Sequence, residues 1–137
     1  MIDPASVPAV TADELVARFI LRSRDVRSDQ TIKSDAFMPA PNLELSVTRL
    51  MHATEHEIWD VARNVAVARQ KTLYGRGDVA VDEYHRHRLT VKEAPVAGNP
   101  NHANVAAWPD DKEAKKSIAQ EIAAVARYVS APNSSNS

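Results

Sequence analysis

The chain has 137 residues and no cysteine. That absence removes disulfides, thiolate nucleophiles and thiolate-ligated zinc or iron–sulfur centres. Glycine is almost as scarce: Gly75, Gly77 and Gly98 are the only three, too few and too scattered for a phosphate-cradling loop of the P-loop or dinucleotide kind. No apolar run approaches the roughly 20 residues of a membrane-spanning helix. The opening Met1-Ile2-Asp3-Pro4 lacks a basic segment followed by an apolar stretch, so no export signal is expected and the expected location is cytoplasmic. Neither sign of charge dominates, with 17 basic against 18 acidic residues and a formal net charge of -1. Nothing overall therefore draws the chain to nucleic acid or to an anionic membrane. What is present, 44% hydrophobic and 26% charged residues, is the composition of a globular domain, and the length suits one domain with a sizeable core.

Residues 1–10 contain Pro4 and Pro8 and read as an extended N-terminal arm; residues 11–129 read as a single domain and 130–137 as a disordered tail. Asn133-Ser134-Ser135 spells a glycosylation sequon, which without export carries no meaning. Thr11-Ala12-Asp13-Glu14 has the form of a capping box, and Leu15, Val16, Phe19 and Ile20 follow at helical spacing, predicting a helix over about 12–22. Ser23 to Ser34 is polar and reads as a solvated loop, with an anion-binding loop as the alternative, since Arg22, Arg24, Arg27 and Lys33 face Asp25, Asp29 and Asp35 in sequence. Leu43 to Leu50 alternates, so a strand is expected with Leu43, Leu45 and Val47 toward the core and Glu44, Ser46 and Thr48 outward.

Thr54-Glu55-His56-Glu57 is a second capping box, opening a helix to about Gln70 with Ile58, Trp59, Ala62, Val65, Ala66 and Ala68 on one face. Lys71 to Val79 reads as a strand in which glycines mark bends or close backbone approach. A short helix is expected over Val81–Arg88, strands over Leu89–Glu93 and Asn101–Trp108, and a loop between them. Pro109 ends the last of these strands. Asp110-Asp111-Lys112-Glu113 then caps a helix whose stripe of Ile118, Ala119, Ile122, Val125, Ala126 and Val129 runs to about Val129. The fold class is therefore α+β: a small antiparallel or mixed sheet of three to four short strands covered by about three helices. Strict strand–helix alternation fails in the second half, which disfavours a doubly wound parallel sheet.

Three stretches carry a resemblance: Ala36-Phe37-Met38-Pro39 followed by Leu45-Ser46-Val47-Thr48-Arg49; then Tyr74-Gly75-Arg76-Gly77-Asp78-Val79; then His102 to Lys112. Together they resemble a group of short uncharacterised bacterial proteins sharing an AFxP turn, an LSVxR strand and an HAN[IV]xxWPxxK segment. The resemblance covers about residues 12–129. It implies a domain ending near residue 129 and a bacterial source, and supplies no activity, cofactor or residue role.

His102 and Asn104, two apart in a strand, share a face opposite Ala103 and Val105. They either bind a polar ligand, with His102 as acid or base, or satisfy a buried carbonyl and a turn. Arg49 and Arg76 each fall near a strand end, where guanidinium forks suit phosphate or carboxylate. Convergence of Arg49, Arg76 and His102, with Ser46 nearby, makes an anion pocket; the plainer reading is ion pairing to Asp78, Glu44 or Asp110. Trp108 either closes the core or offers a stacking platform. Trp59 and Tyr128 read as core residues on helices.

His52 and His56 straddle a cap and do not read as a metal pair, and neither metal nor cofactor is expected. His85-Arg86-His87-Arg88 reads as solvated surface, and Arg76-Gly77-Asp78, an adhesion tripeptide by spelling, as coincidence. Two functions follow. One is a protein-interaction module binding a protein partner or a second copy through the alanine-rich helix faces. The other is a small enzyme or ligand-binding protein for an anionic or nucleotide-like compound, with Arg49 and Arg76 as clamps and His102 as acid/base.

Overall fold

A computed structural model describes residues 3–132; residues 133–137, most of the expected tail with its sequon, lie outside it. Six strands, β1 (Leu15–Ile20), β2 (Leu45–Arg49), β3 (Gly75–Ala80), β4 (Thr90–Glu93), β5 (His102–Ala106) and β6 (Arg127–Ser130), form one sheet. Their order is β4-β5-β2-β1-β3-β6 and every neighbouring pair is antiparallel. Three helices accompany them: α1 (Glu55–Ala68), α2 (Val81–His85) and α3 (Lys112–Val125). The α+β class holds, and the sheet is antiparallel. It carries six strands rather than the three to four expected.

Both additional strands were hidden by helical spacing. Leu15-Val16-Ala17-Arg18-Phe19-Ile20, expected inside a helix over 12–22, is the strand β1, an inner strand between β2 and β3. A strand covered on both faces shows no apolar–polar alternation. Val16 and Ile20 enter the main core while Ala17, fully buried, faces the other side. Half of the Thr11–Glu14 box forms: the Glu14 carboxylate accepts from the Thr11 amide at 2.8 Å, but the Thr11 hydroxyl donates to that carboxylate at 3.2 Å and the Glu14 amide donates to the Thr11 carbonyl instead. It closes a turn into a strand instead of opening a helix. At the other end α3 stops at Val125; Ala126 turns extended and residues 127–130 become the edge strand β6 on β3. Tyr128, expected in a helix, lies in β6, its hydroxyl donating to the Tyr74 carbonyl at 2.8 Å.

The other expectations map closely. Thr54 caps α1 with a complete capping box. The helix ends where Gln70 takes a positive φ of 55° and Lys71 donates to the Ala66 carbonyl at 2.8 Å. Asp111, one residue later than expected, caps α3 by accepting from the Ala114 amide at 2.9 Å. The short helix α2 is present within the expected 81–88. The 23–34 segment is more than solvated loop: Ile32 is buried, Val26 bridges to it, and buried Asp25 is gripped by Arg22.

Strand pairing assigns the faces. Val16, Val47, Val79, Ala103 and Val105 point to the main core, closed by Phe37, Tyr84, Trp108, Ala119 and Ile122 from α2, α3 and the loops. The opposite face is covered over β1 and β3 by α1, with Ile58, Trp59 and Ala62 buried beneath it. The expected close approach at the glycines is real. A Cβ on Gly77 would stand 2.7 Å from Ile32 Cδ1 and 3.0 Å from Phe37 Cζ. A Cβ on Gly75 would stand 2.5 Å from the Val129 carbonyl oxygen, a backbone atom of β6. Gly75→Ala should therefore push the edge strand outward and destabilise the fold by about 1–3 kcal/mol, measured as a lower urea midpoint. An unchanged midpoint would mean that β6 contributes nothing to stability.

Candidate functional site

The register of β2 and β5 pairs Ser46 with Asn104 and Thr48 with His102. Side-chain alternation puts all four on the α1 face, opposite Leu45, Val47, Ala103 and Val105. Because α1 covers the β1–β3 half, a cleft of about 370 Å³ remains beside it. Its walls are Val61, Asn64, Val65 and Ala68 of α1, Ser46, Thr48 and His102 of the sheet, and the Val96–Asn99 turn. Size and mixed lining are those of a small-molecule site.

Hydrogen bonds fix the polar wall. His102 Nδ1 lies 2.8 Å from the Ala94 carbonyl. A carbonyl only accepts, so Nδ1 carries the hydrogen and Nε2 presents a lone pair in the neutral ring. Asn99 donates to Thr48 Oγ1 at 3.1 Å and accepts from the Asn101 amide at 3.1 Å. The turn above it is closed by reciprocal backbone bonds between Val96 and Asn99, with Gly98 at φ 81°.

The cleft also borders an opening in the sheet. β1 pairs with β3 along all six residues but with β2 only at Val16–Arg49 and Ala17–Thr48. Past Ala17 the side chain of Arg18 spans the separation, Nη1 donating to the Ser46 carbonyl at 3.1 Å and Nε to the Ala36 carbonyl at 2.9 Å. Among the described residues no carboxylate pairs with this half-buried guanidinium. Burial, with Arg69 and Arg22 nearby, lowers its pKa from the usual value, against the partly compensating Tyr84 and Asp25. Arg18, Phe19, Leu21 and Arg69 belong both to this cleft and to a second, also about 370 Å³, completed by Arg22, Asp25, Asp35, Met38 and Lys71.

The residues singled out by sequence divide. Ser46, Asn104 and His102 are brought together, and His102 and Ser46 line the cleft. Arg49 is not with them: it lies on the opposite face, fully buried. It is bidentate to Glu14 at 2.7 and 3.0 Å and donates to the Pro8 and Ala9 carbonyls at 2.7 and 3.2 Å. Arg76 shares the face of His102 but sits three strands away, about 14 Å by strand spacing. Its guanidinium is engaged by Glu55 at 2.8 and 2.9 Å and by Asp78 at 3.0 Å, and it lies 4.9 Å from the Trp59 ring centre. Both arginines are structural, Arg76 with the expected Asp78 and Arg49 with the unforeseen Glu14.

Trp108 is 4% exposed and donates Nε1 to the Val105 carbonyl at 3.0 Å, a lid on the core rather than a stacking platform. The Arg76-Gly77-Asp78 tripeptide is buried within β3. Among the described residues no group of three potential metal ligands occurs, and no helix is long and apolar enough to cross a membrane. Arg18, Thr48, Asn64, Asn99 and Arg69 are not among the residues the sequence singles out. For Arg18 a signal exists, since a cation inside a six-residue apolar run needs an explanation if that run is a strand. Arg69 and the asparagines carry none. No family model, no curated protein and no solved structure matches the chain.

Proposed function

We propose that the chain is a small-molecule-binding protein whose site is the cleft between α1 and the β2–β5 half of the sheet. The observation that carries this reading is the row Ser46, Thr48 and His102, set by strand register at the wall of a 370 Å³ cleft whose other walls are largely apolar. Such a site orients a ligand through a few polar groups and gains affinity from burying its apolar part. The protein-interaction reading has less to draw on. Most alanines of those helix faces are turned inward, Ala62, Ala66 and Ala119 being buried and Ala126 half-buried, while Ala68 is exposed.

His102 Nε2 is the natural acceptor for a ligand hydroxyl or amide. His102→Asn keeps a donor near the Ala94 carbonyl but loses Nε2. It is expected to leave the melting temperature nearly unchanged while weakening a cleft ligand by about threefold to tenfold, the loss of one hydrogen bond. The site itself is tested by ¹H–¹⁵N spectra recorded against a library of small polar compounds. Binders should shift the amides of Ser46, Thr48, Asn64 and His102 together. Binders that shift only residues elsewhere would overturn the reading.

A further inference from the structure

The Arg18 guanidinium presents five N–H donors, and two are used, on the Ser46 and Ala36 carbonyls. Three remain: both hydrogens of Nη2 and one of Nη1. A cation taken partly out of water without an ion pair carries a desolvation penalty that is not fully compensated. Arg69 and Arg22 add to it for Arg18, and Asp25 offsets it only in part. Arg22 is neutralised by Asp25 at 3.0 and 3.3 Å. Among the described residues Arg69 and Lys71 have no ion pair, and Arg69 borders both clefts with Arg18. Its place at the end of α1 suits the negative end of the helix dipole, which accounts for Arg69 but not for a half-buried Arg18. The Tyr84 hydroxyl, buried and without a hydrogen-bond partner, lies within electrostatic reach of the same guanidinium. Beside this cationic corner stand Phe19 and Leu21, then Val61 and Val65.

We propose that the ligand is a small organic oxyanion, a carboxylate or phosphate on an apolar body, with its charged end between Arg18 and Arg69 and its body along Phe19, Val61 and Val65. The proposal rests on the reading of the cleft as a ligand site and adds the chemical class of the ligand. A planar guanidinium fork recognises two oxygens of such a group at once. His102 lies two strands away from Arg18, at least about 10 Å by strand spacing, so the polar row meets the far end of a ligand whose anion is at Arg18.

Three matched probes test it: hexanoate, hexyl phosphate and hexanamide, titrated into ¹⁵N-labelled protein at constant ionic strength set with sodium chloride. Either anion should shift the amides of residues 18–21, 46–48 and 69 at concentrations about tenfold below those needed for hexanamide. The better of the two anions identifies the oxyanion. Arg18→Gln removes support for two carbonyls and can unfold the sheet, so Arg69→Gln is the decisive variant. It should weaken the anions about threefold or more and leave hexanamide unchanged. Equal shifts from hexanamide and the anions, or anion binding indifferent to Arg69→Gln, overturn the oxyanion while leaving the ligand cleft standing. If all three probes leave the cleft amides unmoved, both the oxyanion and the cleft reading fall.

Discussion

Arg49→Met is expected to destabilise the fold by about 3–5 kcal/mol, the cost of leaving a buried charge without its partner. Arg49 and Glu14 both have side chains with no exposure, and the substitution strands the carboxylate along with the Pro8 and Ala9 carbonyls. Replacing both members, Arg49→Met with Glu14→Leu, should recover much of the loss, since an apolar pair no longer carries desolvated charge. The pH dependence supplies an independent sign. Burial alone would raise the Glu14 carboxyl, but the Arg49 bonds and the Thr11 amide outweigh it and hold its pKa below the ordinary 4.5. A carboxylate with a depressed folded pKa stabilises above its unfolded value and loses that contribution as pH falls through the folded one. The wild type should therefore lose stability below about pH 4.5 more steeply than Glu14→Gln, in urea melts at pH 7 and pH 3. In Arg49→Met the Arg49 bonds and charge are gone and burial is opposed only by the Thr11 amide and hydroxyl, so acidification across the same range should cost this variant less stability than it costs the wild type. A variant that loses as much on acidification as the wild type would show that the stranded carboxylate is not the cause.

Phe37→Ala should cost about 3–5 kcal/mol, the transfer and cavity penalties of a large core aromatic. Phe37 is fully buried between the sheet and α3, and its ring occupies the space Gly77 leaves open. That shared space makes the two positions interdependent. Gly77→Ala alone forces Ile32 and Phe37 aside and is destabilising; with the ring removed, the same methyl enters a vacancy. A double-mutant cycle should accordingly give a coupling of about 1 kcal/mol or more, read from urea midpoints. Additive effects would mean that ring and glycine do not share that volume.

Where local chemistry decides the structure, the sequence is a reliable guide. The Thr54 box, the aspartate cap of α3 and the strand containing His102 and Asn104 each depend on residues within a few positions of one another, and each is found. Where long-range pairing decides, local spacing misleads. Leu15-Val16-x-x-Phe19-Ile20 fits a helix by period, but its backbone is claimed by strands from residues 45–49 and 75–80. Ile122, Val125, Ala126 and Val129 continue a helical stripe without a glycine or proline to stop it, and the open edge of β3 takes residues 127–130 instead.

The same distinction applies to the site. His102, Asn104 and Ser46 are legible because alternation puts them on one face. Arg49 and Arg76 are misleading because both stand near strand ends, while their partners Glu14 and Glu55 lie 35 and 21 residues away. Arg18 is invisible for as long as its segment reads as a helix.

A single residue, Ala126, separates the last turn of α3 from the first residue of β6. So short a tether leaves no slack. If the helix lifts from the core, the edge strand is drawn off β3 with it, and if the strand detaches, the helix loses its anchor. Residues 112–130 should thus open and close as one cooperative unit, a foldon in which a helix laid on the core and a sheet edge share one protection from solvent exchange.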